Sequence, residues 1–560
     1  MNDFSSSLII NKYPFSLNSG YQHNSKVSNK WPIVYILKNS RTNYTYIGET
    51  TNGISRFNDH LRNLNRNHAD ELLVISHDSF NKSATTFIES KLIEYMAADN
   101  RVNIENRNDG LSSNNNFYQK DKYISLFDDI WKKLKTLDYA KNDISRIDNG
   151  DYFKYSPFKS LSSDQKESVI NILTLLSEKK KNKIFVDGGA GTGKTVLATY
   201  LMKLLSTEIH DYHLDESDDT YTDEIMLVKK IQSKYPDGIR IGLVVPMTPL
   251  RSTLKKVFRS VRGLKAGMVI GPSEVAKKTY DLLIVDESHR LKKRKNLTNY
   301  GTFDKTNEIL GFDKDGTELD WILKTSSNQI LFYDKNQSVK PTDIDNLRFE
   351  SEKNKSDTLY LSSQLRSQGG ESYELFVKDL LELNAQSIFK NDHYKLLIFD
   401  RIDDMHNEIK KKDQKYGLSR MLAGFSWEWK YKNDMSHKDI TIENMSFKWN
   451  SVVKDWINSN DAINEIGCIH TSQGYDLNYC GLIFGNEISY DKIRNEIIIN
   501  EEMYFDKYGK IGIDNKEELK TYIINIYKTM LLRAIKGTYI YVCDRDLKEY
   551  LSNYIVKYIK

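Results

Sequence analysis

Eight consecutive residues, Gly188-Gly189-Ala190-Gly191-Thr192-Gly193-Lys194-Thr195, carry the densest chemical signal in the chain. Their spacing, GxxxxGK[ST], sits between a β-rich run and a helical one, the context that a phosphate cradle needs. Glycines let the backbone curl so that its N–H groups point inward, and the helix that follows adds the positive end of its dipole. Lys194 is placed to neutralise β/γ-phosphate charge, and Thr195 to offer its hydroxyl to Mg²⁺. Such a magnesium site also needs a carboxylate. Asp286, at the end of the apolar run Leu282 to Val285, supplies one and leaves Glu287 to orient an attacking water. The expected chemistry is ATP hydrolysis.

Strands must deliver those groups to one place. From Ser156 onward the chain alternates KIFVDGG with VLATYLMKLL and IRIGLVVP with a basic helix, followed by DLLIVDE and NQILFYD. That alternation predicts an α/β fold on a parallel sheet. A similar set, EIGCIHTS, YCGLIFG and GTYIYVCD, resumes late and predicts a second lobe of related architecture. Ahead of both, Trp31 to about Asn106 reads as a small α/β unit, with strands IVYIL and TYIGE, a polar helix from Asn52 and the apolar-periodic helix FIESKLIEYMAA. The Asn/Ser/Gly-rich NRNDGLSSNNN reads as a linker, and Ile124 to Ala140 as a connecting helix. The expected parts are a tail at 1–30, a small domain at 31–110, linker and connecting helix at 111–155, a first lobe at 156–340 and a second at 341–560.

At 560 residues the chain is too long for one core. Its 81 basic and 77 acidic side chains leave a net charge of +4, so any polyanion must meet a local patch. Arg251, Lys255, Lys256, Arg259, Arg262 and Lys265 form one candidate, and Arg290 to Lys295 a second. Trp427 and Trp429 read as core packing ahead of base stacking. No apolar run is long enough for a transmembrane helix, and the N-terminus lacks a secretory pattern, so a cytoplasmic location without a membrane partner is expected. Cys468, Cys480 and Cys543 lie in apolar, strand-like contexts and predict buried reduced thiols, so any metal is expected on oxygen.

From Leu161 to Asp544 the motif order resembles that of superfamily 1 helicases. The resemblance implies two RecA-like P-loop lobes, with Gln165 in LSSDQKE reading adenine and VVPMTPLRSTL touching a nucleic-acid strand. Asp286-Glu287-Ser288-His289 is similar to the acidic motif, and FYDKNQSV, with Asp334 and Gln337, to the motif coupling nucleotide state to the strand. LSSQLRS supplies Arg366 and LLRAIKG supplies Arg533, arginines that lobe closure would bring to the γ-phosphate. HTSQGYDLNYCGLIFG, with Gln473 and Gly474, resembles the motif linking ATP to the nucleic-acid path. Three positions depart from the family pattern: Tyr333 replaces a glycine, His289 a glutamine and Leu532 a threonine. Hydrolysis is expected to survive them. The short stretch between the acidic and coupling motifs offers no large insertion to act as a wedge, so translocation would not by itself imply unwinding. The pattern looks most like a bacterial branch related to the Schlafen helicase lobe.

Ile33-Val34-Tyr35 followed by Tyr46-Ile47-Gly48 resembles the paired signature of GIY-YIG nucleases, with Ile33 and Val34 replacing Gly and Ile. Arg56 and His60 lie one helical turn apart on one face, and Glu89 opens an apolar helix, as in that family. Asn106 looks like its late asparagine. The resemblance implies that Tyr35 takes a proton from water and Tyr46 positions that water. It gives Arg56 the transition-state charge, makes His60 assist proton transfer, and has Glu89 hold one Mg²⁺ or Mn²⁺. A tyrosine is a poor base at its ordinary pKa of ~10, so local charge has to help. Glu49, Glu94 and His68 read as surface residues.

Together these resemblances imply an endonuclease tethered to an ATP-driven nucleic-acid motor, with DNA favoured over RNA and bacterial defence against foreign DNA as a setting. Two rivals stay open: a repair helicase whose N-terminal fold only binds, and an ATP-dependent switch that does not translocate. Strand polarity, cut-site preference, protein partners and self-association are not legible.

Overall fold

The computed structural model describes residues 7–16, 20–62, 68–104, 117–157, 161–178, 182–207, 219–261, 263–297, 299–337, 341–364, 366–430, 437–452, 456–472, 475–511, 513 and 515–560. It divides into two compact units, residues 1–167 with 207–225 and residues 168–206 with 226–560.

The smaller unit is built on a sheet whose strands run in the order Ile9–Pro14, Glu71–Ser76, Ile33–Lys38, Tyr44–Thr50 and Asn103–Ile104. The two central strands are buried along almost their whole length, because a helix covers each face of the sheet. Helix Gly53–Arg62 packs Phe57 against Tyr35 and Leu37, and helix Lys82–Asp99 packs Ile88 and Leu92 against Val34 and Ile36. Asn81 caps the second helix by accepting from the Ala84 amide, and left-handed Asn100 ends it.

Two segments are more deeply built in than the sequence suggests. Ile9–Pro14, expected in a tail, is the edge strand, where a terminal proline costs no interior ladder bond. Helix Lys120–Thr136, expected as a connector, buries Phe127 and Trp131 in the same core as helix Lys82–Asp99. The Asn-rich linker, with Asn106, lies outside the described residues.

In the larger unit a six-stranded, all-parallel sheet has the order Asp357–Leu361, Lys183–Gly188, Ser326–Tyr333, Tyr280–Val285, Ile241–Val244 and Val269–Ile270. Three adjacent strands end at Gly188, Tyr333 and Val285, so the phosphate loop, Asp334 and Asp286 leave the sheet side by side. That crevice, beyond the carboxyl ends of parallel strands, is where such sheets bind ligands. Asp357–Leu361 pairs directly with Lys183–Gly188, so this sheet extends past the boundary expected at residue 340.

The second sheet has eight strands, in the order Ile440–Ile442, Met445–Trp449, Glu465–Gly467, Ser419–Ala423, Leu477–Phe484, Ala534–Val542, Lys395–Ile398 and Val556–Lys557. Leu477–Phe484 is buried at every position, as a strand covered on both faces must be. Helix Ile402–Tyr416 lies on one face, and helices Gly370–Leu381 and Lys516–Leu531 on the other. Cys468 and Cys480 are buried free thiols, and burial pushes Cys468 up. Among the described residues no helix is long and apolar enough to cross a membrane.

Candidate catalytic sites

The phosphate loop owes its shape to missing side chains. Gly191 and Gly193 take φ of 85° and 77°, in the left-handed region that favours glycine. A Cβ on Gly189 would lie 2.7 Å from Glu374 Oε1, and one on Gly191 would overlap the Gln364 amide and approach Arg366 Cβ to 2.8 Å. The loop is therefore closed over by side chains arriving from beyond Leu361. Gln364 donates to the Ala190 carbonyl at 2.6 Å and accepts from the backbone amides of Arg366 and Ser367.

Lys194, 5% exposed, donates to the carbonyls of Gly188 and Gly189 at 2.5 and 2.7 Å and stands 3.5 Å from Asp334. Thr192 turns its hydroxyl onto the Gly189 carbonyl at 3.1 Å. Thr195 donates to Asp286 at 2.8 Å, so hydroxyl and carboxylate already meet at the lip of the loop. Gln337 donates to Asp334 at 2.6 Å.

Burial first, and then the charge of Glu287, raise Asp286 to about 7. Burial would raise Glu287 too, but His289, 2.8 Å away, together with Lys194 and Arg533, outweighs it and holds that carboxyl below the usual range. Glu287 also has a φ of 51°, rare for a residue with a side chain, which turns it out of the strand direction. Two adjacent carboxyls, Asp286 buried and Glu287 half-buried, that cannot comfortably share negative charge suit a divalent cation. Mg²⁺ commonly takes one or two protein oxygens and fills the rest of its shell from water and phosphate. The donor set fits that ion, although among the described residues no group of three or more His, Cys, Asp or Glu converges.

Both expected arginines hang from one dipeptide. Arg366 pairs with Asp476 at 2.5 Å, and buried Arg533 donates to the Tyr475 carbonyl at 3.3 Å. Two of the departures are neighbours: the His289 and Tyr333 rings meet edge to face with centroids 6.4 Å apart, and Leu532 is core. Gln165 is buried and accepts from the Ser162 amide at 3.0 Å. Gln473 and Gly474 lie outside the described residues.

The surface reading of the basic stretches needs correcting. Arg251 bends inward to donate to the Val245 carbonyl at 2.7 Å, and Arg262 lies outside the described residues. Lys256, Arg259 and Lys265 are exposed. In the second stretch Arg290 pairs with Asp343, Lys293 with Asp345 and Arg294 with Asp304, so acids outside the stretch neutralise most of it. Trp427 and Trp429 pack against the second-lobe core, Trp427 edge to face with Trp449.

In the smaller unit, Tyr35 stands directly opposite Gly48 across antiparallel strands. A Cβ there would lie 2.5 Å from Tyr35 Cζ and Oη, which explains the glycine: the ring lies across it. The Tyr35 hydroxyl is 2.7 Å from His60 Nε2 and accepts from Arg56 Nε at 3.2 Å, while Arg56 also reaches the Tyr46 hydroxyl at 3.4 Å. Four expected residues thus form one hydrogen-bonded cluster on the face covered by helix Gly53–Arg62.

Glu89 comes from the helix on the opposite face, half-buried, and its charge is felt at Tyr35. Burial, Tyr46 and Glu89 push Tyr35 well above the ordinary tyrosine value, against the pull of Arg56. Local charge therefore does not turn Tyr35 into an anion. Where His60 Nε2 carries no proton, the Tyr35 hydroxyl donates to it. Glu94, expected at the surface, is buried beside Lys91, and Glu49 is largely covered by Lys82 and Thr85.

Gly48→Ala should cost about 1–3 kcal/mol through overpacking against the Tyr35 ring. Chemical denaturation checks this; an unchanged midpoint would mean that the ring is free to move aside.

The family model for the Schlafen group 3 DNA/RNA helicase domain matches residues 181–544, and that for the GIY-YIG catalytic domain matches residues 32–96. An uncharacterized protein of Saccharomyces cerevisiae, YPL245W, is 35% identical over 178 residues, or 30% of this chain. The chain spans 38% of the length of that curated relative. Solved structures that are similar include the Pif1 helicase of Candida albicans (11% identity, TM-score 0.26, 70% of this chain and 99% of that one). Another is domain III of the replication initiation protein DnaA from Thermotoga maritima (12% identity, TM-score 0.20, 42% and 76%).

Proposed function

We propose, for a chain that belongs to the Schlafen group 3 DNA/RNA helicase-domain family and carries a GIY-YIG domain ahead of it, that ATP hydrolysis drives movement on nucleic acid while the small domain cuts phosphodiesters. The observation that carries this reading is convergence. Lys194, Thr195, Asp286 and Glu287 meet at one sheet crevice, and Tyr35, Tyr46, Arg56 and His60 share one cluster.

In the motor, Lys194 neutralises the β/γ-phosphates, Glu287, kept ionised by His289, orients the attacking water, and Arg366 and Arg533 take up γ-phosphate charge as the lobes close. Gln165 reads adenine. Asp334, Gln337, Gln473 and Gly474 relay nucleotide state to the strand. In the nuclease, water gives its proton to Tyr35 as the Tyr35 proton passes to His60, and Arg56 stabilises the crowded phosphorane-like charge. Mg²⁺ held by Thr195 and Asp286, and Mg²⁺ or Mn²⁺ held by Glu89, would supply electrostatic neutralisation of phosphate oxygens and of the leaving group. DNA is the proposed substrate ahead of RNA, by family analogy. Bacterial defence is the proposed setting; equal phage plating with and without the protein would remove it.

The test is cleavage of single-stranded, duplex and forked DNA and of RNA, with Mg²⁺ or Mn²⁺ and with or without ATP. Glu89→Ala should abolish cutting and spare ATP turnover, and Lys194→Ala should abolish turnover. Cutting that survives Glu89→Ala would reject the nuclease assignment. Turnover indifferent to every nucleic acid would favour the switch.

A further inference from the structure

We infer that the second lobe carries a binding subsite for a single nucleic-acid strand at Tyr416, Lys412, Lys415 and Lys536, apart from the first-lobe stretches considered above. The inference rests on the reading that the motor engages nucleic acid. Helix Ile402–Tyr416 ends where strand Ser419–Ala423 begins, at the edge formed by the amino ends of the central strands of the second sheet. Lys415 and Lys536 place their ammonium groups 5.1 and 5.4 Å from the centre of the Tyr416 ring, and Lys412 lies 5.2 Å from that of Tyr479. The Tyr416 and Tyr479 rings are 5.6 Å apart. Three cations therefore gather at two adjoining aromatic rings.

Among the described residues, none of the three lysines is in an ion pair. The acids of the same helix are engaged elsewhere: Glu408 with Lys411, Asp413 with Arg420, Asp403 with Arg401 and Asp404 with Lys560. Like charges left together around an aromatic surface repel one another and await a polyanion.

The backbone supplies a second, independent observation. After Tyr416 the chain takes φ of 69° at Gly417 and 41° at Leu418, and a leucine rarely adopts the latter. Asn478 fixes this turn, donating from its side chain to the carbonyls of Tyr416 and Gly417 at 2.9 and 3.0 Å, while its amide donates to the Leu418 carbonyl at 2.8 Å. A strained turn held by three hydrogen bonds from one residue, with a half-exposed ring at its head, is the kind of outlier from which function is inferred.

The chemistry favours one occupant. Stacking needs an exposed π-face, and a phosphodiester chain presents charges at base spacing, which flexible point-charge lysines match. A phosphorylated side chain calls for a guanidinium fork, and a lipid surface for apolar neighbours. Lys536 lies three residues beyond Arg533, at the start of strand Ala534–Val542.

The test is fluorescence anisotropy of labelled single-stranded DNA and RNA with the full chain, over a range of salt. Variants are Tyr416→Ala, Tyr416→Phe and the triple Lys412→Gln, Lys415→Gln, Lys536→Gln, each checked by thermal unfolding. Tyr416→Ala should weaken binding about five- to hundredfold, and Tyr416→Phe should restore most of it, because the ring and not the hydroxyl stacks. The triple variant should weaken binding and flatten the log–log salt slope by roughly 2, at ~0.7 for each phosphate that is no longer neutralised. If the parent chain binds a strand and the variants bind it equally well with the same slope, the subsite does not exist. If the variants shift the KM for ATP and not strand affinity, the patch serves the nucleotide and the inference fails. A parent chain that binds no strand removes the motor reading and this inference with it.

Discussion

Arg533→Ala is expected to cut ATP turnover about 10³- to 10⁵-fold while nucleotide binding stays nearly intact. The ground-state cradle does not use this side chain: Lys194 and Thr195 make their hydrogen bonds within the first lobe. Arg533 comes from the second lobe, buried, with its charge acting on Glu287. An interaction realised only as γ-phosphate charge spreads lowers kcat and leaves KM alone. Lys194→Ala, by contrast, should lose binding as well. Phosphate release measured beside binding of a fluorescent nucleotide separates the two. Removing a buried arginine also leaves the Tyr475 carbonyl without that donor, at roughly 1–3 kcal/mol, so Arg533→Lys serves as a second variant that keeps the charge. Unchanged kcat in both would exclude Arg533 from the chemistry.

Tyr35→Phe is the corresponding change in the small domain, with cleavage expected to fall about 10²- to 10⁴-fold and ATP turnover unchanged. The phenyl ring keeps its edge-to-face packing on Phe57 and its seat over Gly48, so the fold is retained. What disappears is the hydroxyl between Arg56 and His60. In the proposed mechanism Tyr35, which burial keeps protonated, passes its proton on to His60, and His60→Ala should therefore cost cleavage of the same order. Full cleavage by Tyr35→Phe would mean that water is activated without this cluster, and would promote the reading of the small domain as a binding module.

How legible the sites were depends on how far apart their parts lie in the chain. Gly188 to Thr195 is a local object, its geometry written in eight adjacent residues, and Asp286 announces itself by ending an apolar run. Tyr35, Tyr46, Arg56 and His60 come from neighbouring elements in simple succession. Gln364 sat inside a motif read for its arginine alone, and Glu374 lies on a helix without any motif; both reach the phosphate loop only through the tertiary fold. The Arg290–Lys295 stretch looked like free charge because two of its neutralising partners, Asp343 and Asp345, are far along the chain, and the third, Asp304, sits on the next helix. Strand Ile9–Pro14 was missed because an edge strand needs little apolar alternation and tolerates proline. Tyr333 and His289 looked like two separate departures, yet in space they form one packing unit.

The anchoring of Arg366 on Asp476 and of Arg533 on the Tyr475 carbonyl carries a thermodynamic obligation. A ligand that shifts those two adjacent residues works against both anchors at once, and a triphosphate that draws the arginines away loosens the dipeptide in return. Linkage makes the two effects equal: whatever factor the first ligand gains in affinity from the second, the second gains from the first.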